Sequence, residues 1–428
     1  MPHEEMDPFT FDSRLGRHVA YLAEQMWGPA IRRGDVAVVA GPHGDPAYSA
    51  HQSFWVIPSF SRAKFLVPRD FKVASRSLRE YALLRSLRTR AVRRVLSALA
   101  LMRIPLSNDV VTVSSTVSTG DIIQAVGASV GHAKVRASLG VRSAANAKPT
   151  LELRSTCGDI LGFAKLGWNG ITIPSIDNEA RALRELAPYA VTPFRAAGVI
   201  AEGTVQDRRF VVTEPMPIRV RDVPPRAHSL SASEARGPAP LVGMHPWSAL
   251  AQVTSVVSTV FDDDQTTPPA LAVEVRRVVD RILDQAPVLP AAGFWHGDFV
   301  CWNLARDGDG ALWLFDWETA EEDVPAGMDT MHWYSNAQGP VDPKRTRERV
   351  AAAFETAKPV LRSMGYSSRT MRYLGAWYSV TLVARAIRLA RALEGWERVA
   401  LKPDTLAELL TWANQILDNA TPQKEARR

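Results

Sequence analysis

Residues 294–329 read FWHGDFVCWNLARDGDGALWLFDWETAEEDVPAGMD. Asp298 sits in a tight His296-Gly297-Asp298 turn, Asn303 follows five residues later, and Asp316 closes an apolar run. The turn Asp307-Gly308-Asp309-Gly310 lies between the apolar runs Trp302 to Ala305 and Ala311 to Phe315, the signature of a β-hairpin. Folding back about that turn sets Asn303 roughly opposite Leu314, so Asp316 emerges at the same open end as Asn303 and Asp298. Magnesium prefers hard carboxylate and amide oxygens together with phosphate oxygens, and a hydroxyl attacking a phosphoryl group gains from a carboxylate that takes its proton. The bland alternative, that Asp and Asn merely serve turns, accounts for a lone His-Gly-Asp. It does not account for hairpin, spacing and second aspartate together.

At 428 residues the chain is too long for one small core and suggests two or three domains. Apolar content of 46% with 22% charged residues is that of a globular enzyme rather than a disordered chain. Cys157 and Cys301 make no disulfide framework and fit a reducing cytoplasm. The start MPHEEMDPFTFD lacks an apolar core and a cleavage site, and no apolar run is long enough for a membrane span. The net charge of +6 raises nucleic-acid binding as a question. The arginines are spread along helical patterns without zinc-ligand spacing, an aromatic RNA-binding signature or a repeat, so no nucleic-acid partner is expected.

Little is legible in residues 1–50 beyond one helix around Arg17 to Trp27. Ser53 to Ile57 and Lys64 to Val67 read as a hairpin, and a helical pattern runs from Lys72 to about Arg103. In it Leu84, Leu87, Ala91, Val95, Leu99 and Met102 recur three and four apart, while Arg85, Arg88, Arg93 and Arg94 fall off that stripe. A docked helix with a solvated arginine face is expected; a basic amphipathic helix for a membrane surface or polyanion is the alternative. Ser107 to Gly120 reads as a connection.

β-like segments follow at Lys134 to Leu139, Leu151 to Arg154 and Ile160 to Leu166. The last carries Lys165, whose ammonium in an apolar strand needs a carboxylate or phosphate. The segment SIDNEARALREL reads as a helix capped by Ser175 or Asp177, with Glu179 on the face of Leu183 and Leu186. Val199-Ile200 and Arg209 to Thr213 are two more strands. Residues 218–247, rich in Pro, Ser, Ala and Arg, read as a long loop, and helices dominate thereafter, among them Pro246 to Phe261, Pro269 to Gln285 and Arg369 to Leu393. Asp307 and Asp309 do not make a calcium loop, because Ala311 and Leu312 stand where a ligand and a glycine are needed.

His296-Gly297-Asp298-Phe299 with Asn303, then Phe315-Asp316-Trp317-Glu318, then Gly327-Met328-Asp329, with Lys165 and Glu179 upstream, resemble the aminoglycoside phosphotransferase and choline kinase family. The resemblance covers about Ala133 to Trp333 and implies an α+β, bilobal protein-kinase-like fold. Its N-lobe, residues 121–217, would be an antiparallel sheet plus helix, and its C-lobe, 218–428, mainly helical with the catalytic hairpin. Residues 1–120 would be an extra N-terminal accessory segment. ATP and magnesium are the implied cofactors and a small hydroxylated molecule the implied acceptor. Carried onto this chain, Asp298 would orient and deprotonate the hydroxyl, Asn303 and Asp316 would ligate magnesium, and Lys165 held by Glu179 would grip the phosphates. Asp329 would brace the catalytic loop and His296 would fix it by hydrogen bonding.

By order alone, Glu214 to Met216 fall where kinases contact adenine through backbone groups. Arg142 and Ser143 fall in the loop that would cover the phosphates, although Gly140 to Pro149 holds one glycine and no G-x-G-x-x-G. Trp317-Glu318 replaces the Phe-Gly of protein kinases, and Glu318 either touches metal or caps the loop. Glu321, Glu322 and Asp323 form either a solvated loop or an acidic lip for a cationic acceptor. A nucleotide-binding pseudokinase scaffold is the competing function.

Overall fold

The computed structural model describes residues 12–419 except 82–83, 117–120, 143–145, 190–193, 239–244, 249–252, 254–255, 257, 262–265, 286–287 and 339–341. The chain is α+β and divides into two compact units. The first comprises residues 1–187, 196–222 and 306–313; the second comprises 188–195, 223–305 and 314–428.

A nine-stranded antiparallel sheet organises the first unit. In spatial order its strands are Val36–Ala40, Val110–Ser115, Ala50–Ile57, Phe65–Pro68, Val135–Gly140, Thr150–Ser155, Ile160–Gly167, Arg208–Thr213 and Val199–Val205. Both faces are covered, and the two-residue strand period sorts neighbours to opposite sides. Phe54, Val56, Ala164 and Leu166 join a core with Leu22, Trp27 and Ile123 from helices α1 (Gly16–Arg32) and α4 (Ile122–Ser129). Trp55 and Ile57 pack on the other face with Leu78 and Ala100 from helices α2 (Phe71–Arg79) and α3 (Leu87–Leu101). Further along that face Val211 packs on Ile176 and Ala180 of helix α5 (Thr172–Leu186).

The strand at Phe65 pairs with the strand ending at Gly140, so residues on either side of position 120 share one sheet. Ser107 to Gly120, expected as a connection, contains the wholly buried strand Val110–Ser115. Its polar residues are tolerated inside because their hydroxyls are bonded: Thr112 donates to Gly41 O (2.7 Å) and meets Ser53 Oγ (2.9 Å), and Ser114 Oγ meets His51 Nδ1 (2.9 Å).

Two helices replace the single one expected over 72–103, and in α3 Arg88 and Arg94 are exposed as expected while the apolar stripe and Arg93 are reversed. The apolar stripe points outward and Arg93 inward. The reason lies at the C-terminus of α2, where the last carbonyls lack helical partners. Arg93 supplies them, its Nε donating to Leu78 O (3.0 Å) and its Nη2 to Ser77 O (2.6 Å). Helix α5 begins at Thr172, three residues before Ser175 and five before Asp177, the alternative expected caps. Asn169 Oδ1 accepts the Thr172 (2.9 Å) and Ile171 (3.1 Å) backbone N–H groups there, starting the helix earlier.

The second unit holds the helices Pro269–Gln285, Met328–Asn336, Thr346–Ser363, Ser368–Ala392 and Pro403–Asp418 and a small antiparallel sheet of His245–Ser248, Val288–Trp295 and Glu321–Pro325. Ser368–Ala392 is the core helix, opened by a capping box between Ser367 and Thr370 and buried along most of its length. Of the helix expected over Pro246 to Phe261, the first three residues lie instead in the strand His245–Ser248, residues 253, 256 and 258–261 are helical, and 249–252, 254–255 and 257 lie outside the described residues.

Candidate active site

The expected hairpin forms with strands Leu304–Arg306 and Leu312–Leu314, and Cys301–Asn303 makes a 3-10 turn before it. Asp307 shapes the reversal, its Oδ1 accepting the Asp309 (3.0 Å) and Ala311 (2.9 Å) N–H groups. At the open end Phe315 N donates to Asn303 O (3.2 Å), one residue from the expected register. Asn303, 2% exposed, donates through Nδ2 to Asp298 Oδ2 (2.8 Å) and to Asp298 O (3.0 Å), which orients its amide oxygen. Asp316 follows Phe315 in the left-handed region, φ 65° and ψ 55°. An aspartate held there costs on the order of 1 kcal/mol or more, a strain that concentrates at functional sites.

The His296-Gly297-Asp298 turn is clamped from several sides. Asp329, at the start of Met328–Asn336, accepts His296 N (2.9 Å) and Gly297 N (3.2 Å) on its two carboxylate oxygens. The His296 ring donates from Nε2 to Phe315 O (3.1 Å), and its Nδ1 accepts Asp298 N (3.2 Å). Gly297 has φ +81°, and a Cβ there would lie 2.3 Å from Thr319 O, so no other residue fits without displacing backbone.

Three residues that motif spacing did not single out complete the arrangement. Arg385 Nη1 donates to Gly297 O (2.5 Å), its Nη2 to Thr319 O (3.2 Å), and its guanidinium lies 3.8 Å from the Trp295 ring centroid. His332 Nε2 lies 3.3 Å from Asp298 Oδ1, and its Nδ1 is 2.9 Å from the buried Tyr378 hydroxyl. The only sequence signal for His332 is its position three residues after Asp329, which on a helix puts both on one side. Of the acidic run, Glu321 is engaged by Arg385 (3.5 Å) and Arg388 (3.8 Å).

Electrostatics separates the roles. Burial pushes the Asp298 carboxyl up, but the hydrogen bond and charge of His332, with His296 and Asn303, hold it below the ordinary carboxylate value. Its side chain is 41% exposed, so an ionised oxygen is accessible from solvent. Burial pushes His296 down to about 4, leaving a neutral brace. Burial pushes Asp329 up to about 7 despite the two backbone N–H groups and Arg385.

His296 and Asp329 have opposite linkage. An unfolded imidazole protonates near 6.5, so the His296 contribution is present above that pH and lost as pH falls toward 4. An unfolded aspartate ionises from about 4, so the Asp329 contribution is full below that pH and lost as pH rises through 7. Each is worth on the order of 3 kcal/mol, and between pH 4 and 6.5 they offset one another. Relative to wild type, His296→Gln is expected to gain melting temperature as pH drops from 6.5 to 5, and Asp329→Asn to lose it more steeply. Parallel calorimetric profiles for the three proteins would contradict this.

In the first unit Lys165 Nζ meets Glu179 Oε1 at 2.6 Å, with side chains 15% and 3% exposed. Lys165 lies on the sheet face opposite Ala164 and Leu166, and Glu179 comes from α5 on that face. Glu214 pairs with Gly198, accepting Gly198 N on Oε2 (3.2 Å) and donating its own N–H to Gly198 O (2.8 Å). The Met216 carbonyl accepts the hydroxyl of Tyr81 (2.5 Å), a partner the sequence did not suggest. Arg142 is exposed, and Ser143 lies outside the described residues.

No family model and no curated protein sequence matches the chain. Among solved structures it is similar to a thermostable mutant of aminoglycoside phosphotransferase APH(4)-Ia, with 12% identity over 70% of this chain and 99% of that one and a TM-score of 0.43. It is similar to choline kinase LicA from Streptococcus pneumoniae, with 11% identity over 65% and 92% and a TM-score of 0.41. A choline/ethanolamine kinase family protein from Mesorhizobium loti gives 17% identity over 66% and 88% and a TM-score of 0.39. At TM-scores below 0.5 these likenesses carry no inference, and the function rests on this chain's own side chains.

Proposed function

We propose that the chain is a phosphotransferase that uses ATP and magnesium to move the γ-phosphoryl group to a hydroxyl of a small molecule. The observation that carries this reading is the array about Asp298: one carboxylate oxygen on Asn303, the other on His332, ionised and accessible. Such a carboxylate can orient an acceptor hydroxyl and take its proton.

The donor set suits magnesium. The ion keeps waters and substrate phosphates around one or two protein oxygens, and Asn303 and Asp316 are of that kind. Asn303 would present its amide oxygen and Asp316 its carboxylate; bound there, the ion would neutralise charge on the phosphates. Lys165, fixed by Glu179, would hold the nucleotide phosphates. Glu214 and Met216 would contribute backbone groups to adenine, with the Met216 carbonyl shared by Tyr81, and Arg142 and Ser143 would cover the phosphates. Asp329, His296 and Arg385 keep the turn in place and touch no reactant.

A scaffold that binds nucleotide without transfer would gain nothing from an aspartate held ionised by His332. The phosphotransferase reading is tested by ATP hydrolysis in the absence of acceptor: slow turnover with magnesium, abolished by a chelator and restored by magnesium. Tight ATP binding without turnover at any magnesium concentration would favour the scaffold. Replacing His332 by Ala is expected to move the acidic limb of the rate profile to higher pH, because the carboxyl loses the partner that lowers it. An unmoved limb would remove His332 from the site.

A further inference from the structure

Helix α3 carries its apolar residues on the side away from the sheet. Leu87 is 79% exposed, Val92 50%, Val95 60%, Leu101 68% and Met102 61%, and Ile104 just beyond the helix is 43% exposed. At 100° per residue, Leu87, Ala91, Val95, Ala98 and Met102 form one outward stripe, with Arg88 on one flank and Arg94 on the other, all exposed. The inward side is anchored independently: Ser97 Oγ donates to Ser75 O (2.9 Å), Arg93 holds the end of α2, and Arg90 pairs with Asp222 (2.6 Å). The outward residues are thus not needed to keep α3 on its unit.

Charge selects what this face meets. Residues 81–108 contain Arg85, Arg88, Arg90, Arg93, Arg94 and Arg103 and no Asp or Glu. A second copy would bring the same arginines against these and be repelled. An anionic surface would be attracted, and the stripe adds what a soluble polyanion does not use: aliphatic side chains on a convex helix, with arginines placed to reach headgroups from either side. The aromatic anchors typical of protein interfaces are absent from residues 84–108.

We propose that α3 is an interfacial helix that docks this protein on an anionic lipid surface, lying in the headgroup plane with Leu87, Val95, Leu101 and Met102 inserted and Arg88 and Arg94 on phosphates. The face is distinct from the candidate active-site residues, and the proposal does not depend on the phosphotransferase reading. Among the described residues no helix is long and apolar enough to cross a membrane.

The test is cosedimentation of the full chain with vesicles of phosphatidylglycerol and phosphatidylcholine, against vesicles of phosphatidylcholine alone. Binding is expected to the anionic vesicles, weakened by salt, and to fall about tenfold or more in both Val95→Gln/Met102→Gln and Arg88→Glu/Arg94→Glu. All four positions are exposed, and unchanged melting temperatures confirm that the variants fold. Absence of binding to anionic vesicles overturns the proposal. So does binding that survives the apolar pair, which marks a simple polyanion site, or self-association in the ultracentrifuge abolished by Val95→Gln, which marks an interface between copies.

Discussion

Asp298→Asn is expected to lower kcat for phosphoryl transfer by about 10²- to 10⁴-fold while leaving nucleotide affinity within a few-fold of wild type. An amide keeps the shape and can still meet Asn303 and His332, but it cannot take a proton from the acceptor. Asp298 is suited to that work because two forces act against each other on it. Burial alone raises the carboxyl, and the hydrogen bonds from His332 and Asn303 restore its charge. The split between kcat and affinity is diagnostic: an equal loss of both in a protein of wild-type stability would assign Asp298 to nucleotide binding.

Lys165→Met is expected to lower kcat/KM for ATP by about 10²- to 10³-fold, the scale of removing one preorganised charge from a transferring phosphoryl group. The substitution also removes the 2.6 Å cation beside Glu179, 3% exposed, and breaking a buried pair from one side costs about 3 to 5 kcal/mol. Stability and activity are therefore measured together. The double variant Lys165→Met/Glu179→Leu removes both charges and is expected to recover most of the stability and none of the activity. Recovered activity would mean that the pair serves only the fold.

Much of the site was legible because its chemistry is compressed into local spacing. A Gly-rich reversal between two apolar runs fixes the hairpin, and the hairpin brings Asn303 and Phe315 together whatever surrounds them. Lys165 was legible as a charge in an apolar strand and Glu179 as an acid on an apolar helix face. Tyr378 and Arg385 were not, and His332 only through its i+3 spacing from Asp329, because their roles depend on how Ser368–Ala392 and Met328–Asn336 meet the turn.

The fold shows the same divide. The α+β composition, the strands from Val135 to Thr213 and the helix Pro269–Gln285 follow from periodicity. The buried strand Val110–Ser115 escaped because serine and threonine read as loop until their hydroxyls are seen to be bonded. The apolar stripe of α3 lies outside although periodicity suggests a buried face, since periodicity finds a stripe without saying which side is buried. The carbonyls at the end of α2 made that choice by drawing Arg93 inward.

Phosphoryl transfer is read directly by following label from γ-labelled ATP onto a panel of hydroxylated small molecules, with magnesium present and Asp298→Asn as the blank. The expected result is label on at least one acceptor with wild type, none with Asp298→Asn and none in chelator. Transfer undiminished in Asp298→Asn, or ATP bound with no acceptor labelled across the panel, would contradict it.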